Sequence, residues 1–136
     1  MILIVGGRAQ GKRHFAESCI KAREKTPDAK RAEDIPESHP QIMGELQTAV
    51  RQWLAELPET EKEEEPASLA RKFRETVLKD VSRDGILICE EIGLGIVPVD
   101  REERLWRDVT GRLCCLLAEE SEEVYRLWCG LPQRLK

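Results

Sequence analysis

ILIVGGRAQGKR, residues 2–13, decides the fold. Its first four residues, Ile2–Val5, form an apolar run with the length and composition of a buried strand. The run breaks into Gly6-Gly7, and Gly11-Lys12 then opens a helical pattern. Gly6, four intervening residues, Gly11 and Lys12 match the phosphate-binding loop G-x-x-x-x-G-K-[ST] at every position but the last. Glycines let the backbone turn with its N–H groups pointing inward, and an anion then sits at the positive end of the helix. Gly6, Gly7, Arg8, Ala9, Gln10, Gly11, Lys12 and Arg13 therefore form the candidate nucleotide site, with Lys12 bringing a full charge to the β- and γ-phosphates. The last position normally carries a hydroxyl that ligates Mg²⁺. Here Arg13 stands there, which ligates no metal and adds positive charge. Phosphate binding fits this loop; Mg²⁺-assisted transfer is impaired. The other reading of the same residues is a glycine-rich turn followed by a surface lysine.

The 136 residues predict a single domain, 1–136, with one modest core. A net charge of −4 argues against nucleic acid as a partner, because no basic excess is present to neutralise phosphates. No apolar run approaches the ~20 residues of a membrane helix, and the N-terminus lacks a charged-then-apolar leader. The five cysteines, Cys19, Cys89, Cys114, Cys115 and Cys129, form no C-x-x-C pair and lie in apolar patterns. They read as reduced, buried, small hydrophobes of a cytoplasmic protein, not as a zinc site.

Outward from the loop, Lys12–Glu24 has the spacing of a helix, with Phe15, Cys19 and Ala22 on one face. Residues 25–37 form a charged loop containing Pro27 and Pro36. Ser38 and Gln41 suggest a capping box, with Pro40 in the first turn. The helix it opens carries Ile42, Leu46, Val50, Trp53, Leu54 and Leu57 on one face. Pro58–Pro66, PETEKEEEP, reads as an acidic connector extended by its own charge. Ala67–Val81 is a helix with Leu69, Phe73, Val77 and Val81 as its core stripe. Ile86–Cys89 is a second strand, and Glu90-Glu91 with Gly93 and Gly95 follow its carboxyl end, where open parallel sheets bind ligands. Asp100 and Glu103 cap a long helix, Arg101–Ser121, in which Leu105, Val109, Leu113, Leu116 and Leu117 point inward and Gly111 suggests a close contact. Val124–Cys129 is the third strand, followed by a basic tail, Gly130–Lys136. The alternation predicts a P-loop NTPase-like, three-layer α/β/α fold with a small, mostly parallel sheet from strands near 2–5, 86–89 and 124–129.

The second half also resembles a known family. Glu91, Gly93, Gly95, Ile96, Val97 and Pro98 match the pattern N-E-V-G-x-G-I-V-P of the adenosylcobinamide kinase / adenosylcobinamide-phosphate guanylyltransferase family. Arg104, Arg107, Asp108, Gly111 and Arg112 match its R-x-x-R-D-x-x-G-R helix. Ala118, Glu123, Val124, Gly130 and Lys136 match the strand and terminus that follow. The N-terminal loop is similar to the family's G-G-x-x-S-G-K-S. The resemblance implies phosphorylation of adenosylcobinamide by ATP or GTP, and transfer of GMP from GTP to adenosylcobinamide phosphate through a guanylylated histidine, in cobalamin synthesis or corrinoid salvage. It also implies Mg²⁺ as cofactor, with the family's own metal-binding acid in the part missing here; in the enzyme reading Lys12 is catalytic, Glu91 takes over as catalytic acid and metal ligand or else only holds its loop together, and Arg104 and Arg107 are candidate phosphate contacts.

Members of that family are longer, and what is missing here lies between the first helix and Gly85. Three strands corresponding to the family's first, fourth and fifth remain contiguous, because the loss peels one edge of the sheet. That edge needs cover from residues 38–81 or from another copy, so a homo-oligomer is expected. His39 is the candidate for the guanylylated histidine, and His14 lies near the loop. The alternative function is a non-catalytic nucleotide- or corrinoid-binding relative acting as a regulator or partner subunit.

Overall fold

Every strand of the central sheet is short, and the first is the most apolar. In the computed structural model, which describes residues 1–25 and 42–136, Ile2–Gly6 forms strand β1 with Ile2, Leu3 and Ile4 fully buried. Successive side chains of a strand leave on opposite faces. Leu3 joins a core with Leu87 and Val124, whereas Ile2 and Ile4 join a second core with Ile86, Ile88 and Leu127. A helix, α1 (Lys12–Lys25), covers the second core through Ala16 and Phe15. Three helices cover the first: α2 (Leu46–Glu56), α3 (Pro66–Thr76) and α4 (Arg101–Glu120). These are the three layers that the alternation predicts.

β1 is central. It pairs in parallel with β3 (Ile86–Glu90) on one side and with β4 (Glu123–Trp128) on the other. The three predicted strands are thus contiguous, but the sheet has five strands, in the order β2-β3-β1-β4-β5. One addition is β2 (Ile42–Met43), parallel to β3. The sequence reading puts Ile42 in a helix; the helix instead starts at Leu46, after Glu45 in the left-handed region. The two-residue strand lies at the sheet edge beside β3. Beyond it, Gln47 takes over: its Oε1 accepts from the Glu90 backbone N–H at 3.0 Å, so a helix side chain completes the edge.

The other addition is β5 (Leu131–Arg134), antiparallel to β4 across Cys129-Gly130. Both turn residues have positive φ, 50° and 80°, which is the backbone of a tight type I′ hairpin. The predicted basic tail is therefore an edge strand, and Pro132 within it leaves one backbone donor fewer to attract another strand.

Further corrections concern the helices and loops. α3 begins at Pro66 and ends at Thr76, not Val81. A four-residue repeat drifts around a 3.6-residue helix, so Leu69 and Phe73 are buried while Val77 has rotated into solvent and Leu78 turns inward. On α4, Val109, Leu113 and Leu117 are buried and the Asp100 cap is present, its Oδ1 accepting from Glu103 N–H at 2.9 Å. The acidic connector is pinned, not extended. A short 3₁₀ turn at Glu61–Glu63 forms, Lys62 pairs with Glu59 at 2.7 Å and with Glu102 at 3.4 Å, and Lys72 pairs with Glu61 and Glu64. Cys89 is buried as expected, but Cys115 and Cys129 are exposed. Lys25 ends α1; residues 26–37 of the charged loop, the Ser38–Gln41 box and His39 lie outside the described residues.

Candidate nucleotide site

At the end of β1 the chain has little room. A Cβ on Gly6 would lie 2.7 Å from the carbonyl oxygen of Leu127 in β4, so only glycine lets the strand leave the sheet here. The loop that follows turns through positive φ at Ala9 (57°) and Gly11 (81°) before α1 begins. Lys12, the first residue of α1, folds back over this loop. Its Nζ donates to the carbonyl oxygens of Gly6 at 3.0 Å and Gly7 at 2.7 Å. The ammonium is therefore held at the mouth of the loop, beside the start of the helix.

The loop is braced from the far end of the chain. Gln10 Oε1 accepts from the backbone N–H of Cys129, and Gly11 sits against Gly130, where an added Cβ would be 3.6 Å from the Gly130 Cα. Cys129 escapes the sequence reading, although Gly130 after an apolar strand is the signal of a hairpin turn. A cavity of about 240 Å³ opens in front of the loop, lined by Gln10, Gly11, Lys12, Arg13, His14 and Glu45 among others. Arg13 and His14 are both exposed on its rim, and Arg13 Nε lies 3.7 Å from Glu17 one turn further on.

Glu90 and Glu91 arrive at the same end of the sheet, as predicted. The Glu91 backbone N–H donates to Gly6 O at 3.1 Å, so one carbonyl serves both Lys12 and the loop after β3. The carboxylates are already engaged. Glu91 is paired with Arg126 of β4, with Nε 3.0 Å from Oε1. Glu90 Oε2 accepts from Gln47 Nε2 at 3.3 Å. Arg126 and Gln47 are the site residues that the sequence reading misses; nothing in their local pattern marks them, since each is defined by a contact across the sheet.

Arg104 and Arg107 both donate to backbone carbonyls of the loop after β3. Arg104 Nη1 donates to Pro98 O at 3.0 Å and to Val99 O. Arg107 donates to Ile96 O at 3.1 Å and to Gly93 O. Together they fasten the loop after β3 to α4. That loop presents Leu94, Ile96, Val97 and Val99 to solvent, with Ile96 and Val99 each 96% exposed.

A divalent cation at a phosphate loop is held by the hydroxyl after the lysine and by a strand-end carboxylate. Arg13 occupies the first position, and the Glu91 carboxylate is neutralised by Arg126. Among the described residues, no three His, Cys, Asp or Glu side chains converge. These donors do not fit Mg²⁺. Below them, Cys89 is held protonated by its hydrogen bond with Cys114 and by burial.

A family model described as cobinamide kinase / cobinamide phosphate guanyltransferase matches residues 32–135. The phosphate loop itself precedes that stretch. Two curated relatives, each named bifunctional adenosylcobalamin biosynthesis protein CobU, come from Salmonella typhimurium and Escherichia coli. Each is 37% identical over 51 residues, which is 38% of this chain and 28% of the relative. The matched stretch thus spans little more than a quarter of the relatives' length. Among the described residues, no helix is long and apolar enough to cross a membrane.

Proposed function

Because this chain belongs to the cobinamide kinase / cobinamide phosphate guanyltransferase family, we propose that it acts in cobalamin biosynthesis or corrinoid salvage, in the cytoplasm, as a nucleotide-dependent transferase. It binds ATP or GTP at Gly6–Arg13 and phosphorylates the alcohol of adenosylcobinamide, transfers GMP from GTP to adenosylcobinamide phosphate, or does both. The observation that carries this reading is the Lys12 ammonium at the loop mouth, 3.0 and 2.7 Å from the Gly6 and Gly7 carbonyls, on a chain whose residues 32–135 match the family.

In the kinase step the acceptor hydroxyl oxygen bonds to the γ-phosphorus and its proton passes to solvent, while the bond to the bridging oxygen breaks and the nucleoside diphosphate leaves. Lys12 and the loop amides balance the charge that builds on the phosphate oxygens. Arg13, on the rim, adds positive charge at the place of the absent hydroxyl. Glu91, fixed by Arg126, organises the loop beside the transferred group. Arg104 and Arg107 act through the loop they fasten, or on phosphate after that loop shifts. His39 is the proposed site of guanylylation. The exposed apolar loop Leu94–Val99 supports a homo-oligomer, which light scattering on the purified protein tests.

One observation favours a second reading. Arg13 and the Glu91–Arg126 pair leave Mg²⁺ without its usual contacts, as in a subunit that binds nucleotide or corrinoid without turning it over. Incubation with adenosylcobinamide, ATP or GTP, and Mg²⁺, read by corrinoid mass, separates the two. A gain of phosphate or GMP mass that disappears in Lys12→Ala supports the transferase. Nucleotide or corrinoid binding with no mass gain supports the binding subunit.

A further inference from the structure

Gly111 lies midway along α4, and the chain's own packing does not call for it. Glycine inside a helix is unfavourable, and a helix glycine usually repays this by letting another element approach. Here a Cβ on Gly111 would meet nothing within 4 Å among the described residues. The open space belongs to two adjoining cavities. An inner one of about 310 Å³ has mainly apolar walls, among them Val5, Ile92, Leu94 and Cys114. An outer one of about 550 Å³ has a charged rim that includes Glu65, Asp108 and Arg112. Gly93, Arg107 and Gly111 line both and form the waist between them. Arg107 is fixed there by the Gly93 and Ile96 carbonyls, so the waist is a set width.

The inner cavity ends at Val5 and Glu91, directly beside Gly6, whose carbonyl Lys12 holds. A molecule lying across Gly111 would place one narrow end next to the phosphate loop and its bulk in the outer cavity. We propose that this groove is the acceptor site: it takes a bulky corrinoid in the outer cavity and its alcohol-bearing arm through the waist at Gly111. The proposal rests on the functional reading above and adds to it the residues that admit the second substrate. Gly111 is needed because any side chain there narrows the passage.

The test is equilibrium dialysis of adenosylcobinamide, followed by its visible absorption, against wild type, Gly111→Ala and Gly111→Leu. ATP binding and thermal melting are measured on the same samples. Both substitutions are favourable for a helix, so both variants are expected to melt no lower than wild type. Corrinoid affinity is expected to fall at least about tenfold in Gly111→Leu and less in Gly111→Ala, with ATP affinity unchanged. Unchanged corrinoid affinity in Gly111→Leu overturns the site while leaving the functional reading standing. Parallel loss of ATP binding or a lower melting temperature also overturns it, by showing that Gly111 serves the fold. Absence of corrinoid binding by wild type overturns both.

Discussion

Arg126 and Glu91 form an ion pair across the end of the central strand, with Nε 3.0 Å from one carboxylate oxygen and 3.2 Å from the other. Their strands are not neighbours: β1 lies between β3 and β4. The pair passes over the point where β1 gives way to the phosphate loop, so it fixes the floor of the site and neutralises the acid that would otherwise attract a cation. Both side chains are partly exposed, so its value to stability is modest.

The metal dependence of binding follows from that pair and from Arg13. Replacing Mg²⁺ with a chelator is expected to change the affinity of wild type for ATP by less than about twofold, because neither usual metal contact is open. The double variant Arg13→Ser, Arg126→Met restores a hydroxyl and frees Glu91, and its ATP affinity is expected to rise with Mg²⁺. Calorimetric titration with and without the cation checks both.

Gly6→Ala is expected to destabilise the fold by about 2–3 kcal/mol, since the new methyl group meets the Leu127 carbonyl, a backbone atom that cannot turn aside. Urea denaturation followed by tryptophan fluorescence measures this. Gly7→Ala is the contrast: its nearest neighbour would be the flexible Gln10 side chain at 3.5 Å, and the stability change is expected to stay below about 1 kcal/mol.

The single tyrosine of the chain gives a clean titration. Tyr125 O–H donates to Glu123 Oε2 at 2.5 Å, and this bond, then burial, raises its pKa above the ordinary phenol value. The folded state thus favours the protonated ring. The stabilisation is complete below the unfolded pKa and is lost as pH rises through the folded one. Absorbance at alkaline pH is expected to show a midpoint above that of the urea-unfolded chain, and Glu123→Gln brings the two closer.

Thiol labelling is expected to divide the cysteines. Cys115 and Cys129 are exposed and react at once with a disulfide reagent. Cys89 is buried and its thiol is held protonated by Cys114, so it reacts only on unfolding. Mass spectrometry of timed digests assigns each.

The core strands and the phosphate loop were legible because they are local patterns: an apolar run, a glycine spacing, a capping aspartate. The two extra strands were not. Ile42-Met43 is too short to carry a period, and Leu131–Arg134 is exposed throughout, so neither shows alternation. Four-residue spacing places Val77 on the core stripe, but that spacing drifts around a 3.6-residue helix and carries Val77 into solvent. At the site, Lys12 and Glu91 could be read from their positions in motifs. Arg126 and Gln47 could not, since their roles come from strand order. Gly111 suggested a close contact, and the structure shows open space in its place.

The bond from Cys129 to Gln10 has a consequence for how the molecule comes into being. The loop of residues 6–13 takes its final brace from the turn at residues 129–130. β1, too, waits for both neighbours, which lie beyond residue 85. During synthesis β1 and its loop therefore emerge well before the segments that hold them in place. Nucleotide affinity then reports synthesis past residue 129: a nascent protein halted before it has the whole phosphate-loop sequence and lacks the means to hold it in shape.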